Sequence, residues 1–487
     1  MNRGVMMEIN TEIDEVLNRF LGVEDAGDLS DWEIGRIKLW PIVRTELLFR
    51  LLDSKGHVRK QEVPLTVSKY VSLLRTLLLD SPRQLFQVRQ SPIAALSSAS
   101  MRRLVVEGKY FDVIYDFYRR VIPNMIILED PWSASHVLPR FSPAVVDLDW
   151  IKVCGTLLGP INLVYKRRIR DFMNYVCNLL SESGLAVNRL AKNAMEVFIA
   201  RSLIEAFLLR RLLVQIRPKL LFQHCASYGG RRAIICKMCR ELGITTVEAQ
   251  HGVVNRYHPA YNYAPGYCNR FSEYLPDYFL TFGSYWSEEL GRFPVKKVVI
   301  GNPYLIEQKK AFHEKGARGI YCGGRAERQH MVLIISQPTV TEVTVSLAVR
   351  LRELLPSKYS IVYKPHPAET LSIEQKDLLG RKAGIQVQTV ELYTLLNDSM
   401  CVVGVYSTVL FEAVAFGKPV FVVNSPISRA YIPTRIGHFF ESVEELAQNI
   451  VEGDPVGFGP VPEDLWASDW EKRLRQFMDT VLPSTEA

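Results

Sequence analysis

Short apolar runs that end in polar turns and alternate with helical segments constrain the fold of this chain more than any other feature. Seven such runs lie between residues 111 and 303, and five more lie between residues 331 and 424. Short apolar runs bounded by turn signals are typical of buried strands, and their alternation with helices indicates parallel sheets with helical crossovers. The sequence therefore predicts two doubly wound α/β sheets in series. The predicted strands are 111–117, 125–130, 144–150, 219–225, 245–250, 277–283, 296–303, 331–338, 359–365, 385–389, 401–405 and 419–424.

The length and the helical segments predict how the chain divides. A chain of 487 residues is too long for one compact core, so two substantial domains are expected. A capping box at Ser30-Asp31-Trp32-Glu33 and helical spacing over 63–79 indicate that the chain begins with helices. A long helical tract fills 160–215. The predicted divisions are a helical extension over 1–105, a first Rossmann-like domain over 106–300, a linker or loop over 301–330, a second Rossmann-like domain over 331–462 and a C-terminal helix over 463–487.

The composition excludes several classes of protein. Hydrophobic residues make up 48% and charged residues 23% of the chain, which is an ordinary globular balance. There is no run of about 18 apolar residues and no apolar signal-peptide core, so neither a transmembrane helix nor secretion is predicted. Eight cysteines without framework spacing favour reduced thiols in the cytoplasm.

The positive charge is concentrated in one segment. Residues 51–240 hold 29 Lys/Arg against 14 Asp/Glu, a net charge of +15, whereas the segments before and after each have a net charge of −4. Such a segment suits an anionic partner such as a membrane surface or a phosphorylated glycan, although a solvated basic face is the simpler alternative. No zinc finger or aromatic-basic RNA motif is present, so nucleic acid is not an expected partner.

Polar signatures follow the predicted strands at the positions where ligands of such sheets bind. Two open sheets in series leave a cleft at the carboxyl ends of their strands. His251 lies in Gln250-His251-Gly252, directly after the strand 245–250, and imidazole titrates near neutrality, so this residue could act as a general base. Glu248 remains an alternative base on the same strand.

Two signatures in the second block could bind phosphate. Lys364 and His366 lie in Lys-Pro-His-Pro after the strand 359–365, where they could neutralise a diphosphate leaving group. Ser407 and Thr408 join the strand 401–405 to a helix, whose free N–H groups and dipole attract anions. Glu412 lies one turn into that helix, within reach of a ribose. Ordinary N-capping by Ser407 and a structural role for His366 are the alternatives.

Three further sequence features could form a binding or metal site. Gly230, Arg231 and Arg232 open a helix after the strand 219–225 and could bind an acceptor phosphate. Cys236-x-x-Cys239 lies inside a predicted helix and indicates core packing rather than a metal or redox site. Asp147-Leu-Asp149 resembles a metal-binding acidic pair, but its alternation reads as a strand, and no metal site is predicted.

The order of the motifs resembles the GT-B glycosyltransferases of bacterial capsule and wall assembly. His-Gly, then Lys-Pro-His-Pro, then Ser-Thr-x-x-x-Glu-Ala-x-x-x-Gly-Lys-Pro is similar to CDP-glycerol glycerophosphotransferases, capsular Kdo transferases and bacterial polysialyltransferases, over roughly 220–425. The resemblance implies two facing Rossmann-like domains and an inverting transfer without metal or cofactor. It implies that the first domain binds a glycan or glycolipid acceptor and the second a nucleotide-activated donor, CMP- or CDP-linked.

The resemblance also implies residue roles. His251 would be the base or an acceptor contact, His366, Ser407 and Thr408 would bind the donor phosphate, and Glu412 would hold the ribose. Members that use CMP donors often have an acidic pair before the glycine, where this chain has Gln250-His251, so Kdo-like or glycerol-phosphate-like chemistry is favoured over sialic acid. The expected location is cytoplasmic, peripheral on the inner membrane face. The alternatives are a nucleotide-sugar 2-epimerase of the same fold and a non-catalytic membrane-surface partner in polysaccharide assembly.

Overall fold

The structure is a computed structural model that describes residues 3–54, 88–132, 135–159, 163–314, 330–367, 369–453 and 463–482. The strands of the described residues are β1 Glu33–Ile34, β2 Ile37–Lys38, β3 Ile93–Ser98, β4 Arg102–Val106, β5 Lys109–Asp112, β6 Ile126–Asp130, β7 Val145–Asp147, β8 Leu220–Gln223, β9 Thr245–Ala249, β10 Tyr278–Thr281, β11 Lys296–Val299, β12 Met331–Ile335, β13 Ser360–Lys364, β14 Gln386–Val387, β15 Cys401–Gly404, β16 Val420–Val423 and β17 His438–Phe440. The α-helices are α1 Arg3–Ala26, α2 Trp40–Ser54, α3 Tyr115–Val121, α4 Asp149–Leu158, α5 Leu163–Glu182, α6 Arg189–Ile216, α7 Gly230–Glu241, α8 Pro265–Phe271, α9 Ser284–Glu289, α10 Pro303–Glu314, α11 Thr341–Leu354, α12 Ile373–Asp377, α13 Leu392–Asp398, α14 Thr408–Ala415, α15 Pro426–Tyr431, α16 Val443–Glu452 and α17 Trp470–Val481.

Seven parallel strands form the first sheet, in the order β11-β10-β9-β8-β3-β6-β7. The strands on either side of β3 come from different parts of the chain, β6 and β7 from before α4 and β8 to β11 from after α6. The strand order therefore reverses between β3 and β8. In doubly wound sheets, ligands bind outside the carboxyl ends of the strands at such a reversal.

Six parallel strands form the second sheet, in the order β14-β13-β12-β15-β16-β17. Its central strands, such as Met331–Ile335 and Cys401–Gly404, are buried at every residue. Burial on both faces explains their continuous apolar sequences, because helices cover a parallel sheet on both sides. The strand order reverses between β12 and β15. Two Rossmann-like doubly wound sheets are thus confirmed; that they face each other across a cleft, as in GT-B enzymes, stays a prediction.

The chain forms two compact units. The described residues of Glu15–Ser54, Glu62–Tyr304 and Asp469–Ala487 form the first unit, and Leu305–Ser468 supply most of the second. The C-terminal helix α17 therefore belongs to the first unit. There the Trp470 ring packs edge-on against Phe117, and the Phe477 ring packs against Tyr278 of β10. The apolar face of this helix is therefore buried within the first unit.

A buried ion pair fixes the N-terminal helices to the first unit. The side chains of Arg44 in α2 and Glu24 in α1 are fully buried and form a salt bridge of 2.6 Å. The Arg44 guanidinium also donates to the backbone carbonyls of Pro259 and Asn262, and it lies 3.9 Å from the centre of the Tyr263 ring. A buried charge is stable only when it is paired and hydrogen-bonded, so this arginine fixes the loop that follows β9.

The predicted helical extension over 1–105 is wrong for its last part. Residues 93–98 form β3, an interior strand of the first sheet next to β8, and their six side chains are all buried. The sequence Ile-Ala-Ala-Leu-Ser-Ser has no alternation and few β-branched residues, so neither pattern nor propensity marks it as a strand. The capping box at residues 30–33 is also absent, because Leu29–Asp31 is a 3-10 helix and Glu33 begins β1.

Most predicted strands are confirmed within a residue or two. The strands predicted over 296–303 and 331–338 end early, at Val299 and Ile335, and in two other cases a helix occupies part of the predicted strand. The predicted strand 111–117 is wrong, because β5 ends at Asp112 and α3 begins at Tyr115. In 144–150 the strand ends at Asp147 and α4 begins at Asp149. Short apolar runs do not distinguish strand from buried helix, since both are apolar on every side.

Three further segments differ from the sequence analysis. The helical tract 160–215 is two helices, α5 and α6, separated at Gly184, which has a φ of +76°. Helix α10 occupies the first part of the segment predicted as a linker. Strand β17 follows the strand predicted to be last. The predicted helix at 63–79 and the rest of the linker, 315–329, lie outside the described residues. Within the described residues, no helix has the length and apolar character needed to cross a membrane.

Candidate functional site

Two neighbouring strands of the first sheet, β8 and β9, end in polar turns at the same edge. After β8 the chain passes through His224 and Cys225 and a short 3-10 helix, Ala226–Tyr228, before α7 begins. Cys225 has a left-handed backbone (φ 58°, ψ 41°), an uncommon conformation for a residue with a side chain. Gly229 has a φ of +71°, and a Cβ added there would lie 2.8 Å from the carbonyl oxygen of Ile42. The turn is therefore held tightly by its surroundings, and such strained turns concentrate at functional sites.

Five side chains from these turns and from the loop after β9 form a histidine cluster, made up of His224, Cys225, Tyr228, His251 and His258. The Cys225 sulfur lies 3.3 Å from His224 Nε2 and 3.5 Å from His251 Nε2. The Tyr228 hydroxyl lies 3.1 Å from His258 Nε2 and 3.4 Å from His251 Nε2. The rings of His224 and His251 meet edge to face with centroids 4.8 Å apart. The structure thus places the predicted base His251 in a set of titratable groups that the sequence analysis had not assembled.

The hydrogen bonds assign the proton-accepting nitrogen of His251. The Ala260 backbone N–H donates to His258 Nδ1 over 3.2 Å, so His258 Nε2 carries the proton and donates to the Tyr228 hydroxyl. The Tyr228 hydroxyl can then donate to His251 Nε2 over 3.4 Å. His251 Nε2 is therefore the nitrogen that holds the lone pair, and an imidazole in this form can accept a proton.

The surroundings keep the imidazoles unprotonated. Burial, together with the positive charges of Arg103 and Arg232, lowers the pKa of His251 to about 4. Burial likewise lowers the pKa of His258 to about 3, with a contribution from His251. Burial also lowers the pKa of His224 well below its usual range. At neutral pH the cluster is a group of neutral bases beside two arginines.

The donor atoms of His224, Cys225 and His251 lie within 4.8 Å of one another, so these residues could in principle hold a metal ion. Imidazole nitrogen and cysteine sulfur are the ligands that zinc prefers. The electrostatics disfavour a cation, because Arg103 and Arg232 act on the same imidazoles. Burial also raises the pKa of the Cys225 thiol to about 12, so the thiolate that a metal needs is costly to form.

Glu248, the alternative base, is not placed to meet a substrate. Its side chain is fully buried and accepts hydrogen bonds from the Ser227 backbone N–H (3.0 Å), the Ser227 hydroxyl (2.6 Å) and the Tyr261 hydroxyl (2.9 Å). Burial raises the pKa of Glu248 to about 7 despite these bonds. The prediction of Glu248 as a base is corrected: it fixes the Ser227 turn beneath the histidine cluster.

Two of the three predicted acceptor residues are structural. Arg231 is 6% exposed and pairs with the carboxylates of Asp130 and Glu205, so it has no free charge for an acceptor. Gly230 has a φ of +61°, and a Cβ there would lie 2.7 Å from the Phe198 ring, which explains the glycine without a ligand. Arg232 differs from both, because it is partly exposed and its Nε donates to the His224 carbonyl oxygen over 3.1 Å. Of the three, only Arg232 keeps the predicted role as a prediction.

On the other side of β3, the carboxyl ends of β6 and β7 bear an ion-pair network made up of Arg102, Glu129, His136, Arg140, Asp147 and Asp149. His136 lies 2.8 Å from Glu129 and 2.5 Å from Asp149, and Arg140 bridges Glu129 and Asp147. Although burial lowers the pKa of His136, hydrogen bonds to Asp149 and Glu129 raise it to about 9. Three ligand atoms here also lie close together, but a protonated histidine cannot bind a metal.

In the second sheet, the ends of the neighbouring strands β12 and β15 are followed by hydroxyl groups. Ser336 follows β12 and Thr341 begins α11, while Ser407 caps α14 and Thr408 begins it. The Thr339 and Tyr406 hydroxyls are hydrogen-bonded and join the loops after β12 and β15. Hydroxyls and helix N-termini at a reversal of strand order form a typical site for a nucleotide phosphate.

Ser407 caps the N-terminus of α14, which is the structural alternative to phosphate binding. Its hydroxyl accepts from the Val409 N–H over 3.3 Å, which caps α14, and the residue is 7% exposed. Thr408 and Glu412 are partly exposed on the same helix. A capping hydroxyl and a phosphate-binding helix start are compatible, because the capping bond takes only one of the free N–H groups.

The side chains of Lys364 and His366 have different surroundings, although the two residues are only two positions apart. The Lys364 ammonium donates to the Val390 carbonyl over 2.8 Å, and burial lowers its pKa. His366 lies exposed beyond the end of β13. Strands β13 and β15 flank β12, so His366 and Ser407 follow strands about 10 Å apart.

Glu369 was missed by the sequence analysis and organises this edge. Its carboxylate accepts from the hydroxyls of Ser336 (2.8 Å) and Thr341 (2.7 Å) and from the His366 backbone N–H (2.9 Å). One side chain therefore ties the His366 loop to the loop after β12 and to the start of α11. Its position three residues after His366 was the available signal.

Comparisons with known proteins give similarities of fold. The glycotransferase of kitacinnamycin is 13% identical, with a TM-score of 0.45 over 81% of this chain and 100% of that one. UDP-GlcNAc 2-epimerase from Neisseria meningitidis, bound to UDP-GlcNAc, is 12% identical, with a TM-score of 0.47 over 80% of this chain and 100% of that one. The wall teichoic acid polymerase TagF is 11% identical, with a TM-score of 0.41 over 85% of this chain and 93% of that one.

No protein-family model and no curated protein matches the sequence. At the identities above, the similarity to these solved structures is one of fold alone.

Proposed function

We propose that this protein is a glycosyltransferase that moves a sugar such as Kdo, or a polyol phosphate, from a nucleotide-activated donor to a surface polysaccharide or glycolipid. The observation that carries the proposal is the neutral His251 at the carboxyl edge of the first sheet, whose Nε2 accepts from the Tyr228 hydroxyl and so holds the lone pair of a base. The second sheet supplies the complementary element, a hydroxyl-bearing helix start at a reversal of strand order. A base and an anion site are the two parts that such a transfer needs.

The reaction is a single displacement. His251 Nε2 takes the proton of the acceptor hydroxyl while the acceptor oxygen forms a bond to the anomeric carbon, or to phosphorus for a polyol phosphate. The bond from that atom to the nucleotide phosphate breaks, and the nucleotide leaves with the negative charge. His251 then returns its proton to solvent.

The low pKa of His251 fits an anionic substrate. Part of the depression comes from Arg103 and Arg232, whose charges oppose a proton on the ring. An anion bound beside these arginines would offset that charge and raise the pKa of His251 toward neutrality. The base would then become stronger only when substrate is present.

On the donor side, Ser407, Thr408 and His366 bind the nucleotide phosphate and Glu412 holds the ribose. Glu369 positions His366 through the loop that it ties down. Lys364 acts through its charge at the end of β13. The enzyme is cytoplasmic and peripheral on the inner membrane face, where a glycolipid acceptor is presented.

A thermal-shift screen across CMP, CDP, UDP and GDP tests the donor site. A nucleotide at a concentration about one hundred times its Kd stabilises the protein by roughly 3 kcal/mol, which a site of micromolar affinity makes accessible. His366→Ala should abolish the shift for the binding nucleotide, and Glu369→Ala should weaken it more than Glu369→Gln does. His438→Ala, on the edge strand β17 of the same unit, is the matched control and should keep the shift. A full shift in His366→Ala would remove His366 from the phosphate site.

Acceptor dependence tests the reaction type. Nucleotide release that requires an added glycan or glycolipid supports transfer. Formation of a 2-epimer from the nucleotide sugar alone would show an epimerase instead, and the proposal would then be wrong. Unchanged glycan output in a strain carrying both His251→Ala and His366→Ala would indicate a non-catalytic role.

A further inference from the structure

Helix α6 presents an apolar stripe to solvent along most of its length. Four large apolar side chains on it are 47–81% exposed, namely Leu190, Val197, Phe207 and Val214. At about 100° per residue, their spacings of 7, 10 and 7 residues place all four within roughly one third of the helix circumference. The face extends over roughly 36 Å. Since the opposite face of α6 is buried in the first unit, the helix is apolar on two sides and only one of them is covered by the described residues.

The two preceding helices extend this stripe. Helices α4 and α5 pack against α6. At the end of α4, Leu157 and Leu158 are 45% and 47% exposed, and Tyr165 near the start of α5 is 39% exposed. We call these seven residues the α4–α6 surface. Large exposed apolar patches on a folded protein mark an interaction site.

Cations border the α4–α6 surface. Helices α5 and α6 together hold nine Lys/Arg against four Asp/Glu, a net charge of +5. Lys166, Arg167 and Arg170 are exposed in the first turns of α5, and the Arg167 side chain is 95% exposed, with the half-exposed Asp171 carboxylate 3.9 Å away. On α6, by contrast, the carboxylates of Glu196 and Glu205 are paired with neighbouring cations. The net positive charge therefore faces outward beside the apolar side chains.

We propose that the α4–α6 surface binds the surface of a membrane that contains anionic lipids. The apolar side chains enter the headgroup region, and the exposed cations bind the lipid phosphates. Charge decides between this partner and a second copy of the chain. Pairing two copies through α6 would bring like charges together, whereas an anionic surface neutralises them. The proposal extends the glycolipid part of the proposed function, but its test needs neither donor nor acceptor.

Sedimentation with lipid vesicles tests the proposal. The full chain should bind vesicles in which about one third of the lipid is phosphatidylglycerol, and should bind phosphatidylcholine vesicles at least tenfold more weakly. The double variant Val197→Ser/Phe207→Ser should lose at least tenfold in binding, because two apolar side chains no longer enter the membrane. Arg167→Glu/Arg170→Glu should lose a similar factor, and added salt should weaken binding by the wild-type protein.

The matched control lies in the second unit. Val343 and Ile373 are 50% and 82% exposed there, so Val343→Ser/Ile373→Ser removes at least as much exposed apolar surface away from the α4–α6 surface and should bind like wild type. If Val197→Ser/Phe207→Ser has a lower melting temperature than this control, Leu190→Ser, at the most exposed position of the stripe, replaces it in the comparison.

Three results would overturn the proposal. Equal binding to both vesicle types would exclude the role of charge, and unchanged binding in the stripe variants would exclude the role of α6. A dimer that forms with rising protein concentration, dissociates in Val197→Ser/Phe207→Ser and does not bind vesicles would assign the surface to a second copy. A wild-type protein that binds vesicles as expected but shows no transferase activity would contradict the proposed function and leave the membrane proposal standing.

Discussion

Two groups of histidines at the same edge of the first sheet have opposite protonation. In the histidine cluster beside β8 and β9, His251 and His258 have pKa values lowered to about 4 and about 3. In the ion-pair network beside β6 and β7, the pKa of His136 is raised to about 9. Burial lowers the pKa in all three cases, so burial alone does not decide the charge. The neighbours decide it: aromatic rings and arginines surround the first group, and carboxylates surround the second.

The comparison separates a site for chemistry from a structural network. A neutral imidazole can accept a proton, whereas a histidine already protonated between two carboxylates cannot. The difference assigns the reactive role to His251 and a stabilising role to His136, although both follow strands of one sheet. Each of these two assignments can be tested by experiment.

The largest effect is expected for His251→Gln. Removing a positioned base costs about a thousandfold in kcat, or roughly 4 kcal/mol in the activation barrier. Nucleotide binding, measured by thermal shift, should stay within about twofold of wild type. His136→Gln, at the other group, should change kcat far less. Weakened nucleotide binding with intact turnover in His251→Gln would reverse the assignment.

The protein should lose stability at alkaline pH because His136 loses its proton there. Its pKa is higher in the folded protein than in the unfolded chain, so its contribution is complete below about pH 6.5 and is lost as the pH rises through about 9. The shift corresponds to roughly 3 kcal/mol. Urea unfolding of wild type and His136→Gln at pH 6 and pH 9.5 measures it, as the difference between the two proteins. A difference independent of pH would contradict the charged state of His136.

His258 should have the opposite pH dependence. Its pKa is lowered on folding, so its contribution is present above about pH 6.5 and is lost as the pH falls toward 3. At pH 5 the part of the contribution that has been lost amounts to roughly 2 kcal/mol. The raised pKa of Glu248 acts in the other direction between pH 4.5 and 7, so the wild-type curve alone mixes the two. The informative measurement is the free energy of unfolding of wild type minus that of His258→Gln, at pH 7.5 and pH 5. This difference should shrink in acid; a constant value would show that His258 is not buried as a neutral base.

The smallest effect is expected for Cys225→Ser. The thiol touches two imidazoles but is protonated and buried, so its replacement should cost about 1 kcal/mol or less in stability and change kcat by less than about threefold. Ser is the near-isosteric change that keeps the turn. If the variant loses all activity and the wild type copurifies with stoichiometric zinc, His224, Cys225 and His251 are metal ligands, and His251 is not a free base.

Local signals predicted the second unit well. Most strands there are short apolar runs that end at a turn residue, as at Lys364-Pro365 and Gly404, whereas β17 was not predicted. The interior strand Ile93–Ser98 of the first sheet had no such signal, because a strand buried on both faces needs no alternation and this one consists largely of small residues.

The histidine cluster was only partly predictable. His251 and His224 both follow predicted strands, so both could be found, although only His251 was singled out. His258 could not be found, because its position depends on a loop held by Arg44, more than 200 residues earlier in the chain. Arg231 was misassigned for the same kind of reason: its partner Asp130 is about 100 residues away.

By itself, the sequence determined where the chain forms strands with clear ends, that two doubly wound sheets result, and that histidines and hydroxyls follow several of those strands. These features depend on neighbours within a few residues, which a linear pattern records. Only the tertiary structure decided which of those groups are charged, buried or paired. A pKa and a salt bridge depend on distance in space, and the groups that set them here, such as Arg103 beside His251 and Asp149 beside His136, are brought near by the sheet and not by the sequence.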